Sequence, residues 1–562
     1  MDLRLDPLPG QWTARHARPD PLRHGPAAVA AAYTLLQLLL VVPGTGLGWD
    51  ETVYVSQVDP HAPAAFFSAP RARGITFLVA PVTWWTADPT VLHASLALMS
   101  GAALLLCLRV WRPLLPASVL TAAAALFTGL WITLLYGPQA MPNLWVAYGV
   151  LAAVGCFLRA ATAPTPARAR WPLCGLAAAL CAVALLRPSD ALWLAGALTA
   201  AAALVRPWRR PVLLLAVAAG AALGAAEWIV EAEWRYGGTA ARLRRAAEIQ
   251  GGLEWRPALA DQVRGLEGRT LCRPCAGVPW RRPVTALWWF LVPPAVAAGL
   301  WAAVRGRRQA GWERRPRGGG PPTDASAGSA HMAAGSAHAA AVAGSVTEAD
   351  AGPAASARVH MTWADRPAAV PALVLATAAA TALALPYLLF LGYAAPRFLL
   401  PSYALLALPA GAGLVALVQR IRSDGWNRAA ARLPLALLAV VLAGHFAVQY
   451  AVLHAVVTRV RANHVAFTAV AKELTAQGVR PPCVVSGHEA VRVAFRLGCS
   501  SRQTGGHDAS VTAAELVRTA RDRPVVVLTA GDRPVPAHAR GWRPVRLPDL
   551  PGVTNYRAYL SW

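Results

Sequence analysis

Lysine is almost missing from this chain: Lys472 is the only one among 53 basic residues. Acidic residues are scarce as well, 28 in 562 positions, which leaves a net charge of +25. Charged residues make up 14% of the chain and apolar residues 56%, and the mean hydropathy is +0.40. That is too apolar for a soluble multidomain protein. The apolar runs are continuous rather than alternating, which argues against a β-barrel. The basic charge is scattered among the segments between runs rather than gathered on one soluble domain, so nucleic acid is excluded as a partner. A single lysine beside heavy use of alanine, glycine and proline is expected of a high-GC bacterial genome, such as an actinobacterial one. The first apolar run lacks a clear small-x-small cleavage site and is expected to stay as an anchor.

Runs of roughly 17–25 apolar residues read as transmembrane helices. Eleven are expected, at 28–45, 90–110, 116–135, 143–160, 172–187, 190–205, 211–230, 284–304, 367–391, 398–418 and 433–455. With the N-terminus inside, the segments holding Arg109 and Arg112, Arg168 and Arg170, Arg206 to Arg210, Arg305 to Arg317, and Arg420 to Arg428 all fall in the cytoplasm, as the positive-inside rule requires. The fifth and sixth runs, separated by Arg187-Pro188-Ser189-Asp190, are either two short spans or one broken helix. Only two spans keep the arginine pattern. The expectation is therefore a polytopic α-helical protein of the plasma membrane, with 1–27 cytoplasmic, 28–455 membrane-embedded, and 456–562 a small extracytoplasmic α/β domain.

Within the membrane part, 46–89 forms a first outer loop whose Gly74–Trp85 stretch can lie along the interface, and 231–283 a second outer loop. Residues 306–362, rich in Gly, Ala, Ser, Pro and His, have no core-forming pattern and are expected to be a disordered cytoplasmic insert. In the tail, 483–486 and 524–529 read as buried strands, with helices at 489–497 and 511–521. Of the eight cysteines, Cys272, Cys275, Cys483 and Cys499 fall outside the cytoplasm and are disulfide candidates. A zinc site at Cys272 and Cys275 is the weaker alternative, since no histidine pair stands nearby.

The outer-face inventory begins directly after the first run, at Trp49-Asp50-Glu51-Thr52-Val53-Tyr54. Ionisable groups at that depth are costly and usually functional. Gln57, Gln139, Asn143, Asp190, Tyr393 and Tyr403 lie on the same side, with Arg71, Arg73, Arg187 and Arg397. A carboxylate can take a proton from an incoming hydroxyl, and guanidinium groups can bind phosphate oxygens bidentately and neutralise charge on a departing phosphate. Together they fit sugar transfer from a polyprenyl-phosphate donor. Plainer readings stand beside this one. Asp50-Glu51 can simply end a helix in water, Arg71 and Arg73 can contact lipid headgroups, and Arg187 and Arg397 can satisfy helix-end carbonyls.

Asp50-Glu51 with Tyr54, the Pro142-Asn143 turn opening the fourth span, and Tyr393-Ala-Ala-Pro-Arg397-Phe-Leu-Leu-Pro401 resemble the GT-C superfamily of polytopic glycosyltransferases, in its protein mannosyltransferase and aminoarabinose-transferase branch. The resemblance spans roughly 28–455. It implies Asp50 as catalytic base with Glu51 beside it, Arg397 as a contact to the lipid phosphate, and no divalent metal or other cofactor. It also implies a polyprenyl-phosphate sugar as donor, carrying mannose or another hexose or pentose, and an extracytoplasmic glycan, lipid or protein as acceptor. Gln139 departs from the pattern, since many relatives carry an acidic residue in that loop; either Asp190 or Glu51 substitutes, or activity is altered or lost. Arg71, Arg73 and Arg187 are placed from the loops rather than from a matched motif. Two other classes remain at this point: a lipid or polysaccharide flippase, and a non-catalytic membrane scaffold with an external binding domain.

Overall fold

The computed structural model describes residues 22–252, 254–272, 279–313, 368–423, 431–531 and 533–562. The segment 314–367 and Cys275 lie outside them, so most of the expected insert and one disulfide candidate are not described; the first residues of that insert, 306–313, are helical rather than disordered, continuing the helix Leu287–Glu313.

The membrane part is helical throughout. Its helices are α1 (Gly25–Leu36, continued by a π-turn at Gln37–Val41), α2 (Trp49–Val55), α3 (Gly74–Thr83), α4 (Pro89–Trp111), α5 (Ala117–Thr128), α6 (Trp131–Tyr136), α7 (Pro142–Ala161), α8 (Pro166–Leu186) and α9 (Pro188–Leu204). They continue with α10 (Pro211–Tyr236), α11 (Thr239–Gln250), α12 (Leu259–Gly265), α13 (Leu287–Glu313), α14 (Ala369–Leu389), α15 (Leu400–Ser423) and α16 (Arg432–Ala476). Proline opens α4, α7, α8, α9 and α10, where its missing N–H costs nothing and its fixed φ suits the first turn.

Each of the eleven apolar runs falls on helix, but among the described residues eight helices are long and apolar enough to cross a membrane. The reasons for the lower count are local. The first run makes a helical stretch of only Gly25–Val41. The third is broken at Gly129-Leu130, where the Trp131 N–H donates to Gln449 Oε1 at 3.1 Å instead of continuing a helix. The Arg187-Pro188 junction separates α8 from α9, so the two helices are distinct; α8, with 21 residues, is among the eight, whereas α9 has 17. α10 lies close against α8 through Gly220 and Gly224: a Cβ there would sit 2.5 Å from Ala177 O and 2.1 Å from Cys181 O. This is the small-residue approach that lets helix backbones touch inside a membrane. α7 and α15 are the most enclosed helices and form the centre of the bundle.

α16 runs unbroken through residue 455 and carries the chain into the C-terminal unit. That unit has β1 (Val484–Gly487), α17 (Ala490–Leu497), β2 (Ser500–Ser501), α18 (Ala513–Asp522), β3 (Val525–Thr529), β4 (Arg543–Arg546) and β5 (Arg557–Leu560). The sheet order is β2-β1-β3-β5-β4, with β1 parallel to β2 and β3, and β5 antiparallel to β3 and β4. Phe467, Val470 and Leu474 of α16 pack with Val485, Val493, Val526 and Leu560 in one buried cluster. A disulfide joins Cys483 to Cys499. Val491 of α17 joins the core of the membrane part, and Phe495 packs against it. The unit is therefore seated on the first loop, next to α2.

Candidate active site

α2 begins at Trp49 because Gly48 and Glu51 close its first turn: Gly48 N donates to Glu51 Oε2 at 2.9 Å. The other Glu51 oxygen is used as well. It accepts from Ala140 N at 2.8 Å and meets His93 Nε2 at 3.1 Å. Glu51 is buried, and it pins the α6–α7 loop to α2. Gln139 therefore sits in a loop held by its neighbour Ala140, and Asn143 is buried in the first turn of α7.

Asp50 faces the other way. Arg71 Nη2 donates to its Oδ1 at 2.8 Å and Arg397 Nη2 to its Oδ2 at 3.3 Å. Its side chain is 34% exposed, while those of both arginines are 13% exposed. The Ser68 hydroxyl accepts from Arg71 Nη1 at 2.9 Å, and Thr270 O accepts from Arg397 Nη1 at 2.9 Å. Arg397 also reaches the Tyr136 hydroxyl at 3.4 Å. Desolvation works to raise the Asp50 pKa, but the Arg71 and Arg397 guanidiniums outweigh it and hold the carboxyl below its usual value. Tyr54, one turn along α2, lies under Arg71 with 5.9 Å from guanidinium carbon to ring centre; burial pushes its hydroxyl pKa up.

A second charged group stands beside the first. Arg187 donates to the Tyr387 hydroxyl at 2.8 Å and pairs with Asp190 at 3.3 Å; Tyr387 donates to Asp190 in turn. Phe398, next to Arg397, stacks on Tyr387 and faces Arg187 at 5.1 Å and Tyr393 at 5.6 Å. Cys272, which is disulfide-bonded, forms a two-way backbone bridge with Ala394 and so ties the second loop to this turn.

Other expected site residues lie elsewhere. Arg73 is paired with Glu231 and lies 3.5 Å from Glu227, stacked over Phe67 at 4.5 Å. Gln57 bonds to Val53 O and Ala65 O and bridges weakly to Arg73. Tyr403 accepts from Trp289 Nε1 at 3.0 Å within the helix packing.

Three residues at or behind the site carried no sequence signal. Asp508 of the C-terminal unit lies 3.8 Å from Arg71 Nη1. Tyr387 sits inside an apolar run. Arg242, fully buried, donates to the backbone carbonyls of Ala69, Arg71 and Trp228 and pairs with Glu231 at 2.9 Å. Among the described residues, no group of three or more His, Cys, Asp and Glu side chains is arranged to hold a metal ion.

No protein-family model and no curated protein sequence matches the chain. Solved structures do. ArnT from Cupriavidus metallidurans bound to undecaprenyl phosphate superposes with a TM-score of 0.61 at 11% identity, over 96% of this chain and 98% of that one. The same protein in the apo state gives 0.58 at 12% identity, over 95% and 97%. The Archaeoglobus fulgidus oligosaccharyltransferase, tethered with an acceptor peptide, gives 0.47 at 11% over 90% of this chain and 69% of that one. The chain shares the GT-C-like fold of ArnT.

Proposed function

We propose that the protein is a membrane glycosyltransferase that moves a sugar from a polyprenyl-phosphate donor to an acceptor hydroxyl on the extracytoplasmic side. The observation that carries this reading is the Asp50 carboxylate held between Arg71 and Arg397. The fold and the undecaprenyl phosphate bound by ArnT support a lipid-linked donor. The distribution of arginines supports a cytoplasmic N-terminus and an outward C-terminal unit in the plasma membrane. The sugar is a hexose or pentose, mannose among them, and the acceptor a glycan, lipid or protein.

The donor phosphate takes the two guanidiniums. Asp50 is then relieved of the charges that hold its pKa down and becomes a stronger base. It accepts the proton of the acceptor hydroxyl as that oxygen attacks the anomeric carbon. The bond from that carbon to the phosphate oxygen breaks, and its electron pair leaves with polyprenyl phosphate, whose charge Arg71 and Arg397 stabilise. The two cations supply the charge that a divalent metal would otherwise bring, so the transfer is proposed to need none. Arg187 and Tyr393 flank the phosphate position, with Asp190 and Tyr387 fixing Arg187.

The test is retention of undecaprenyl phosphate by the detergent-purified protein in native mass spectrometry. Wild type is expected to retain it. The double variant Arg71→Gln/Arg397→Gln should bind it at least about a hundredfold more weakly, since charge-assisted contacts contribute roughly 1.5–3 kcal/mol each. Equal binding by both proteins would remove the phosphate subsite and the reading with it.

A further inference from the structure

The guanidinium of Arg71 is shared by carboxylates from opposite ends of the chain. Asp50 holds Nη2 at 2.8 Å, Ser68 accepts from Nη1, and Asp508 stands 3.8 Å from Nη1. The last distance is too long for a hydrogen bond but well inside Coulomb range. Asp508 comes from a loop closed at its neck. Gln503 pairs with Gly487 through both ends of its side chain, and Ser510 N donates to Gln503 O at 2.8 Å. Along the tip, Thr504 to His507 and Ala509 are exposed, and Asp508 alone is partly covered, where it faces Arg71. A fixed neck thus delivers one negative charge to the edge of the proposed phosphate subsite. Burial and the nearby Asp50 charge work against its ionisation, and Arg71 favours it; the net shift of its pKa is upward.

Resting on the proposed lipid-phosphate reading, we infer that Asp508 is a specificity-determining residue of that subsite: it disfavours a dianionic phosphate monoester more than a monoanionic diester. The donor, a polyprenyl phosphate sugar, is a diester with one negative charge. The product, polyprenyl phosphate, is a monoester with a second ionisation near about 6, and so carries close to two charges at neutral pH. A fixed carboxylate beside the phosphate repels the product about twice as strongly as the donor. The C-terminal unit thereby favours donor entry and product release.

The experiment measures equilibrium binding of undecaprenyl phosphate and of its methyl ester, a diester, to the full-length protein in detergent at pH 7.5. Asp508→Asn is expected to tighten the monoester roughly three- to tenfold and the diester by about half that on a logarithmic scale. Asp508→Glu, which keeps the charge, should restore the wild-type ratio. An unchanged ratio in Asp508→Asn, or weaker monoester binding, overturns the inference while leaving the phosphate subsite standing. Failure of the wild type to bind either lipid overturns the subsite itself.

Discussion

Arg71 and Arg73 are separated by one residue and belong to two unlike charge clusters. Around Asp50, a partly exposed carboxylate meets two guanidiniums from distant loops, and the cluster opens toward the C-terminal unit. Around Glu231, a buried carboxylate meets Arg73, Arg242 and the exposed Arg235, and the Arg242 guanidinium is also bonded to three backbone carbonyls. The second cluster commits its guanidinium donors to Glu231 and to backbone carbonyls. It clamps the chain from Ala69 to Arg73 against α10 and α11 and so places Arg71, whose carbonyl it holds. The first balances two arginines against Asp50 and Asp508, and its central Asp50 side chain stays 34% exposed. The difference makes an arginine beside an apolar run a candidate for function where the carboxylate it pairs with stays accessible.

The sharpest way to break this comparison is to remove one charged group from each cluster. Asp50→Asn should lower transfer by about 10²–10⁴-fold, the usual contribution of a general base, with the protein still folded in the membrane. The measurement is turnover of lipid-linked sugar in membranes, beside size-exclusion behaviour in detergent. A variant that is folded and fully active would take Asp50 out of the chemistry. Arg242→Met strikes the other cluster. It leaves a buried Glu231 with fewer partners, and is expected to cost about 3 kcal/mol of stability, read as a lower melting midpoint.

Much of the first cluster is legible along the chain. Asp50 and Arg397 are charges at the ends of apolar runs and Arg71 lies in the first loop, all on the side where arginine is expected to be uncommon, so their placement marks them. Glu51 follows Gly48 by three residues, the spacing of a helix-capping acid, and it caps. Arg73 was inseparable from Arg71 in sequence because its partner Glu231 is 158 residues away. Asp508 lies in a polar loop with no periodicity, and only the seating of α17 on α2 brings it near. Among the described residues eight helices rather than eleven are long and apolar enough to span, and the third run is interrupted where the Trp131 N–H bonds Gln449 in place of a helix carbonyl. Local patterns report which residues are costly to bury; they do not report who repays the cost.

Smaller changes sharpen the contrast. Arg71→Gln should weaken undecaprenyl phosphate binding about tenfold, whereas Arg73→Gln should leave binding nearly unchanged and lower stability instead, since its donors already serve glutamates. Equal losses of binding would merge the clusters. Cys483→Ser opens a link of sequence separation 16 and is expected to destabilise the C-terminal unit by about 3 kcal/mol, read as earlier proteolysis within 483–562.

The smallest effect concerns the two carboxylates on Arg71, whose pKa values move in opposite directions. Asp50 is lowered on folding, because the pull of Arg71 and Arg397 exceeds desolvation; Asp508 is raised, because desolvation and the Asp50 charge exceed the pull of Arg71. A lowered carboxyl binds fewer protons folded than unfolded. Its stabilisation is complete above the ordinary value of about 3.9 and is lost as pH falls through the lowered value. A raised carboxyl does the reverse: acidification through its raised value relieves a penalty that was present at neutral pH. Melting midpoints from pH 7 downward should therefore separate the variants. Asp508→Asn should gain on wild type at neutral pH and lose that gain first as pH falls. Asp50→Asn should fall below wild type at neutral pH and converge with it only below about pH 4. If both variants tracked wild type in parallel across the range, Arg71 would not be the shared partner of these two groups.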